Sequence, residues 1–399
     1  MTSLNSQFDL IRQSATIAIA DRVISLRAEG RKIIGLQTGD PDFATPAAIV
    51  DVALQAMRAG DTHYGASRGT LELRRAIAAR IAATDGVEYD PASEILVTHG
   101  SIHAYYCAVQ SILNPGDEVL IPDPSWATHS NMVNMLRGQV VRVPAPAANG
   151  FIPPIEAWEA AVTPRTRAIL VNWPSNPTGA IAPRHYLIEL ARFAERHDLW
   201  VLSDEVYQNL VYDGAQATCI GALPGLKERA ILLNSLSKTY AMTGWRVGYL
   251  AAPERVINNA LKASQNSITC VTPFIQKAAA FALSDPGVQQ AAADMRDGYA
   301  RRRELVLRLA REHGPSPVKI TAPDGAFYFF MDLRELGLPS LDICESLLEE
   351  ASVGLVPGSA FGEQGEGFVR MTIAASEADI EAGFKAILAW ADKTVISDQ

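Results

Sequence analysis

Residues 168–203 read AILVNWPSNPTGAIAPRHYLIELARFAERHDLWVLS, and they predict a strand, a helix and a second strand. Ala168–Val171 and Trp200–Ser203 are short, continuous apolar runs, as found in strands that are buried on both faces. Between them, Pro183–His197 is predicted to be a helix, and its proline suits the first helical turn. The stretch therefore predicts two parallel strands joined by a helix.

The same alternation extends over the middle of the chain. Helical segments such as Ile102–Leu113 separate further short apolar runs. These runs are Ile95–Thr98, Glu118–Pro122, Gln139–Val143, Ala230–Leu233 and Val247–Ala251. The pattern predicts a doubly wound α/β domain, in which ligands bind beyond the carboxyl ends of the strands.

The pattern changes after Ser284. Asp285–Glu312 is predicted to be one long helix, and its run Arg301-Arg-Arg303 is typical of a solvated helix face. Shorter strands and helices follow, which indicates a smaller α+β domain: Phe327–Asp332, Leu341–Ala351, Phe368–Thr372 and Glu377–Trp390. We therefore expect three parts: an N-terminal segment (1–45) packed on the small domain, a large α/β domain (46–284) and a small C-terminal α+β domain (285–399).

The composition excludes several classes of protein. Of the 399 residues, 48% are hydrophobic and 20% are charged, which argues against disordered and coiled-coil classes. The net charge of −9 argues against binding to the phosphate backbone of nucleic acids. No segment has the ~18 apolar residues of a membrane span. The four cysteines lack the spacing of a metal site or a disulfide framework, so we expect a reduced, cytoplasmic protein without a metal site.

The segment Ser235-Leu-Ser-Lys238-Thr-Tyr-Ala-Met-Thr-Gly-Trp-Arg246 contains the most reactive combination of side chains. Lys238 follows an apolar strand and precedes a turn with glycine, where burial can lower a lysine pKa enough for Schiff-base chemistry. Arg246 can bind a phosphate through two hydrogen bonds, and Ser235 can add a hydroxyl. The alternative is an ordinary solvated lysine.

This segment resembles the cofactor-lysine motif of fold-type-I enzymes that use pyridoxal 5'-phosphate (PLP). It is most similar to the class I/II aminotransferases related to aspartate aminotransferase, and the resemblance covers roughly residues 30–390 in the same order. It implies PLP as cofactor, a mostly parallel central sheet with helices on both faces, and a smaller α+β domain. It also implies a homodimer with the active site at the subunit interface.

Several residues near predicted strand ends match the family's contacts to the PLP ring. The resemblance assigns Asp204 to the pyridinium nitrogen, where a carboxylate keeps that nitrogen protonated. It assigns Tyr207 and Asn176 to the ring oxygen, and Trp126 to stacking on the ring. The alternatives are a helix cap, a turn residue and a core tryptophan for Asp204, Asn176 and Trp126. Two bonds match frequent cis peptides of the family: Asp123–Pro124 and Asn176–Pro177.

The phosphate of the cofactor is assigned to a predicted strand-to-helix turn. A helix N-terminus offers free N–H groups to an anion, and the resemblance places the phosphate at Gly100, Ser101 and Ile102. Ser235 and Arg246 are implied to bind the same group.

The partner subunit is implied to supply Tyr64 and Thr272, both near the phosphate.

On the substrate side, Arg370 matches the arginine that binds the α-carboxylate, and Gly39 and Asn176 match further substrate contacts. An arginine at a strand end is otherwise more often part of a surface ion pair. Glycine at 39 suits a close approach of backbone and ligand, because it has no Cβ.

The remaining aromatic and histidine side chains have no such assignment. His99 and His103 match no ligand of the family, and we expect packing or surface roles unless they contact the substrate. His129 and Trp173 are candidate substrate contacts, with ordinary packing as the alternative for each.

The resemblance implies transfer of an amino group between an L-amino acid and a 2-oxo acid, through a Lys238 Schiff base and a pyridoxamine intermediate. Lys238, Asp204 and Tyr207 are the implied catalytic residues. The same residues would serve a PLP-dependent lyase or synthase, for elimination, replacement or cyclisation, which stays the alternative. A transcription regulator with an aminotransferase-like sensor domain is disfavoured, because the motifs begin near residue 39 and leave no room for a DNA-binding domain.

The segment 263–273 resembles a loop of the partner subunit that covers the active site, and it contains no Lys or Arg. A dicarboxylate substrate needs a second cation for its distal carboxylate. The sequence therefore favours neutral or aromatic amino acids over aspartate and glutamate as the preferred amino donor.

Overall fold

The computed structural model describes residues 5–11 and 15–397. Its helices are α1 (Ala15–Ala28), α2 (Ala47–Arg58), α3 (Leu71–Asp85), α4 (Gly100–Ile112), α5 (Ala127–Met135), α6 (Ile155–Ala161), α7 (Arg184–Arg196), α8 (Glu254–Ser267), α9 (Pro273–Ser284), α10 (Pro286–His313), α11 (Ser340–Glu350) and α12 (Glu377–Ser397). Its strands are β1 (Ile34–Gly35), β2 (Ile95–Thr98), β3 (Glu118–Asp123), β4 (Gln139–Pro144), β5 (Thr166–Asn172), β6 (Trp200–Asp204), β7 (Ala230–Ser235), β8 (Gly248–Ala251), β9 (Tyr328–Asp332), β10 (Val353–Gly354), β11 (Val356–Pro357) and β12 (Phe368–Thr372).

The seven apolar runs of the middle of the chain form one sheet, in the order β2-β8-β7-β6-β5-β3-β4. Its strands pair in parallel from β4 to β7, whereas β8 is antiparallel to both of its neighbours. Only a short 3-10 helix (Thr243–Trp245) lies between β7 and β8, and a parallel return requires a longer crossover connection. The expected mostly parallel sheet is therefore confirmed.

Both faces of this sheet are buried, and alternate residues of each strand belong to different cores. Ile169 and Val171 of β5 pack with residues of α3, α7 and α9, whereas Ala168 and Leu170 pack with residues of α4 and α8. This arrangement explains why the strands are continuous apolar runs rather than alternating ones.

The C-terminal part has its own antiparallel sheet, in the order β11-β12-β9, packed with α10, α11 and α12. The N-terminal segment contacts this part, because β1 pairs with β10 and α1 packs Val23 and Leu26 against Leu348. The domain boundaries after residues 45 and 284 stay a prediction. Residues 1–4 and 12–14 of the N-terminal segment, and 398–399 of the C-terminal part, lie outside the described residues.

The expectation of a solvated arginine run on α10 is wrong for two of its three members. Arg301 is exposed, but Arg302 donates two hydrogen bonds to the carboxylate of Asp42, at 2.7 and 2.8 Å. Arg303 is buried, and its guanidinium pairs with Asp213 at 2.9 Å. Consecutive residues of a helix are about 100° apart, so three arginines in a row cannot all face solvent when one side of the helix is covered.

Among the described residues, no helix has both the length and the apolar character needed to cross a bilayer.

Candidate active site

A cavity of about 260 Å³ lies at the carboxyl ends of the parallel strands, between the large sheet and the small one. The last residues of β5, β6 and β7 line it: Asn172, Asp204 and Ser235. The small sheet contributes Tyr328 from β9 and Arg370 from β12. The other lining residues are Gly39, Ser101, Ile102, Trp126, Asn176, Val206, Tyr207, Ser237, Lys238, Thr243 and Arg246.

The structure therefore brings together most of the residues singled out in the sequence. Gly100 lies directly behind the cavity wall, where a Cβ atom would be 2.5 Å from Nη2 of Arg246. Tyr64 and Thr272 do not line the cavity of their own chain, and Tyr64 is 88% exposed. His99, His103 and Trp173 do not line it either: for example, Nε2 of His103 lies 3.0 Å from Oγ of Ser267. Asp123–Pro124 and Asn176–Pro177 are cis, as predicted, and Trp173–Pro174 is cis as well.

Lys238 lies at the cavity wall just after β7, and its ammonium group is held by the backbone. Its Nζ donates a hydrogen bond to the carbonyl oxygen of Gly39, at 2.6 Å. Burial lowers the pKa of Lys238 to about 8, with Arg370 and Arg246 acting in the same direction and Asp40 opposing them. A large fraction of this amine is therefore neutral near pH 8, and only a neutral amine can attack a carbonyl carbon.

Asp204 is a buried acidic residue that is contacted by a histidine ring and a backbone N–H group. Nε2 of His129 lies 3.0 Å from Oδ2 of Asp204, and Nδ1 of His129 lies 3.1 Å from Oγ of Ser125. The backbone N–H of Val206 donates to Oδ1, at 3.3 Å. His129 does not line the cavity, so its contact is with Asp204 and not with a substrate. The carboxylate is thus oriented from behind and can accept a hydrogen bond from a ligand in the cavity.

One corner of the cavity is suited to an anion. Helix α4 begins at Gly100, and no side chain caps its N-terminus. The first N–H groups of a helix have no partner within the helix, so those of Ser101 and Ile102 are available at the cavity wall. Arg246 reaches the same turn, and it forms no ion pair with a carboxylate anywhere in 5–11 or 15–397. Ser235 and Ser237 add hydroxyl groups to the wall.

Arg370 is a buried cation that lacks an anionic partner among the residues that the structure describes. Its Nη1 donates to Oδ1 of Asn176 and its Nη2 donates to the carbonyl oxygen of Gln37, both at 2.8 Å. Its Nε has no hydrogen-bond partner, and no carboxylate of the described residues pairs with it. A buried charge without a counter-charge is costly, so this guanidinium is poised to bind an anion such as a carboxylate.

Five lining residues of this site were not singled out in the sequence: Asn172, Val206, Ser237, Thr243 and Tyr328. Tyr328 was hidden in an apolar strand, where alternation alone does not distinguish a core tyrosine from one that lines a cavity. Ser237 stands beside the motif lysine without a recognised role. The contact between His129 and Asp204 joins residues that are 75 positions apart in the chain, and no local signal reports it.

Comparison with known proteins agrees with this geometry. The family model "Aminotransferase class I and II" matches residues 31–387. The chain belongs to this family. Aromatic-amino-acid aminotransferase 2 of Thermococcus litoralis is 43% identical over 349 residues, which are 88% of this chain and 89% of that relative. The aspartate aminotransferase of Pyrococcus abyssi is 40% identical over 379 residues, which are 95% of this chain and 96% of that relative.

The class I/II aminotransferase fold is also found in solved structures. Aspartate aminotransferase from Thermus thermophilus with maleate has a TM-score of 0.92 and is 35% identical, covering 98% of this chain and all of that one. The protein described here depends on PLP, as the class I/II aminotransferase family does. The comparisons do not support the lyase or synthase alternative. The groups around the cavity fit PLP, because they offer an amine to an aldehyde, a carboxylate to a ring nitrogen and an uncapped helix N-terminus to a phosphate.

Glu205, the neighbour of Asp204, is expected to make the stability of the protein depend on pH. It is buried away from the cavity, where it accepts hydrogen bonds from Oγ of Ser203 and the N–H of Ile220. Burial, with Asp85 nearby, raises the pKa of Glu205 to about 8. Between about pH 4.5 and 8 the folded protein keeps a proton that the unfolded chain releases. The free energy of unfolding therefore falls as pH rises through this window, by up to about 1.4 kcal/mol per pH unit.

We expect Glu205→Gln, which cannot titrate, to lose less stability than the wild type between pH 6 and pH 8. Urea unfolding at the two pH values measures this difference. Glu88→Gln, at an exposed position, is the matched control and should follow the wild type. An equal pH dependence in wild type and Glu205→Gln would show that Glu205 is ionised in the folded protein.

Proposed function

We propose that this aminotransferase moves the amino group of an L-amino acid with a neutral or aromatic side chain to a 2-oxo acid, with Lys238, Asp204 and Tyr207 as its catalytic residues. The observation that carries the proposal is the pairing, in one cavity, of an amine with a lowered pKa and a buried arginine without an anion. The amine suits carbonyl chemistry and proton transfer, and the arginine suits the α-carboxylate of an amino acid.

The residues that would hold PLP divide into three groups. Lys238 would hold its aldehyde carbon, and Gly100, Ser101, Ile102, Ser235 and Arg246 would hold its phosphate. Asp204 would bind the ring nitrogen, Trp126 would cover the ring, and Tyr207 and Asn176 would donate to the ring oxygen. When bound, PLP accepts the electron pair that is left when the substrate α-carbon loses its proton.

Asn176 can serve the cofactor and the substrate arginine at once. Its Oδ1 accepts a hydrogen bond from Nη1 of Arg370, at 2.8 Å, and an arginine can only donate. Its Nδ2 is consequently the end left to donate to an oxygen atom in the cavity. The same contact orients Arg370, which would bind the α-carboxylate with its remaining donors while Lys238 carries the α-proton.

The preferred amino donor follows from the charges at the cavity wall. The lining residues include three cations, Lys238, Arg246 and Arg370, and the proposal uses each of them. Ile102, Trp126 and Val206 add apolar side chains to the same wall. No cation is left in this part of the described chain for a second carboxylate, which supports neutral or aromatic donors. The relatives include both an aromatic-amino-acid and an aspartate aminotransferase.

We also propose a homodimer in which Tyr64 and Thr272 reach the cofactor phosphate of the other subunit. Tyr64 is exposed and lies outside its own cavity. Helix α2 presents Val50, Leu54 and Met57 to solvent, each at least 36% exposed, and such rows of apolar side chains are typical of contact surfaces. A cytoplasmic location is part of the same proposal, and the four free cysteines support it.

The visible absorption of the PLP-loaded protein tests the donor class. We expect L-phenylalanine to bleach the cofactor band at much lower concentration than L-aspartate does, with the matching 2-oxo acid detected by mass spectrometry. D-Phenylalanine is the control for productive binding. Equal or better bleaching by L-aspartate would contradict the proposed donor class, and ammonia release without a 2-oxo acid product would contradict transamination by this site.

A further inference from the structure

We infer that Tyr328 is a positioning residue of the reaction: its hydroxyl directs the hydroxyl proton of Tyr207 toward the cofactor, and its ring supports Arg370. This inference rests on the proposed function, in which Tyr207 binds the ring oxygen of PLP and Arg370 binds the substrate carboxylate. Tyr328 lines the cavity from β9 and is only 1% exposed.

The hydroxyl groups of Tyr328 and Tyr207 lie 2.8 Å apart, and both side chains are buried. A hydroxyl has one proton, so only one of the two can donate in this contact. When Tyr328 donates, the proton of Tyr207 remains for an acceptor in the cavity. Burial also raises the pKa of both tyrosines, which keeps both protons in place at neutral pH. Hydrogen bonds in a chain polarise one another, so the bond from Tyr328 to Tyr207 strengthens the bond from Tyr207 to the acceptor in the cavity.

The ring of Tyr328 lies against the substrate arginine. In the small sheet, Tyr328 pairs with Thr372 and Phe330 pairs with Arg370, so Tyr328 and Arg370 are diagonal neighbours. The guanidinium carbon of Arg370 lies 4.4 Å from the centre of the Tyr328 ring. This stacking holds the guanidinium plane while its Nη atoms bind Asn176 and Gln37.

Tyr328 also determines which residue can stand at position 39. A Cβ atom on Gly39 would lie 2.3 Å from the hydroxyl oxygen of Tyr328, and the next atom of that ring is 3.3 Å away. The carbonyl of Gly39 in turn accepts the hydrogen bond from Lys238. The absence of a side chain at Gly39 is therefore required by Tyr328, whether or not a substrate is bound.

The first test uses the pH at which the visible absorption of the PLP-loaded protein changes, since this midpoint reports the proton held at Nζ of Lys238. A hydrogen bond from Tyr207 withdraws negative charge from the ring oxygen. Without this hydrogen bond the oxygen is more negative, so the proton at Nζ of Lys238 should be bound more tightly and its pKa should rise. We expect Tyr207→Phe to raise the midpoint, and Tyr328→Phe to raise it by about half a unit. The double variant should match Tyr207→Phe alone, because Tyr328 acts through Tyr207.

The matched control is Tyr299→Phe, at a fully buried tyrosine whose hydroxyl has no hydrogen-bond partner among the described residues. It should leave the midpoint unchanged. An unchanged midpoint in Tyr328→Phe, or additive shifts in the double variant, would overturn the inference while leaving the proposed function intact. An unchanged midpoint in Tyr207→Phe would overturn the assignment of Tyr207, and the inference with it.

The second test needs no cofactor. We expect Gly39→Ala to lower the Tm by about 2–5 °C, because the new methyl group collides with the Tyr328 hydroxyl. In the Tyr328→Phe background the same substitution should cost little. Gly244→Ala is the control, because a Cβ atom there would meet no atom within 4 Å. Equal losses from Gly39→Ala in both backgrounds would overturn the contact on which the inference depends.

Discussion

Replacing Lys238 with alanine is expected to lower kcat by about 10⁴-fold or more, the largest effect of any single substitution in this protein. The reason is that Lys238 would perform two tasks, holding the cofactor carbon and carrying the α-proton. Among the described residues, no other lysine lines the cavity to replace it. The measurement is a single turnover of the PLP-loaded protein with excess L-phenylalanine, followed by the formation of the 2-oxo acid.

Two variants separate chemistry from charge and from folding. Lys238→Arg keeps a positive charge but cannot become neutral near pH 8, so it should be as inactive as Lys238→Ala. Lys262→Ala, which removes an exposed lysine on α8, should keep full activity. Because removing a partly buried ammonium group relieves a desolvation cost, Lys238→Ala should unfold at a Tm no lower than that of the wild type. Substantial turnover by Lys238→Arg would show that the essential proton is carried by another group.

Replacing Arg370 with leucine is expected to lower kcat/KM for L-phenylalanine by about 10²–10⁴-fold. Removing one member of a buried ion pair costs about 3–5 kcal/mol, and each 1.4 kcal/mol corresponds to a factor of ten. In the free protein, however, the hydrogen-bond partners of Arg370 among the described residues are uncharged: the amide oxygen of Asn176 and the carbonyl oxygen of Gln37. The fold should therefore tolerate an apolar side chain of similar volume. The substitution should lower kcat/KM and leave the stability of the protein largely unchanged.

A substrate without the carboxylate makes this prediction specific. 2-Phenylethylamine is L-phenylalanine without its α-carboxylate, so it has nothing to gain from Arg370. We expect its slow reaction with the cofactor to be nearly equal in wild type and Arg370→Leu. Arg334→Gln is the matched control, because Arg334 stacks on Phe368 outside the cavity and its loss should not affect either amine. If Arg370→Leu slowed both amines alike, Arg370 would act on the shape of the site and not on the carboxylate.

Much of the large sheet was predictable because its strands are buried on both faces. Such strands are continuous apolar runs in the sequence, and Ile95–Thr98 was predicted with the bounds that the structure has. The antiparallel direction of β8 was not predictable from its own residues, because an apolar run contains no information about strand direction. The pairing of the arginine run on α10 was not predictable for a related reason: its partners are distant in the chain, as with Asp42, which lies 260 residues from Arg302.

The sequence by itself determined the family, the PLP dependence and the motif residues that line the cavity, because these depend on local order: a strand, a turn and a reactive side chain next to each other. Only the tertiary structure decided which residues face those motifs. Tyr328 and His129 carry no local signal, and their contacts with Tyr207, Arg370 and Asp204 exist because the fold brings distant segments to one cavity. The pKa of Lys238 depends on both: its place after an apolar strand already indicated burial, whereas the contribution of Arg370, 132 residues away in the chain, exists only in the folded protein.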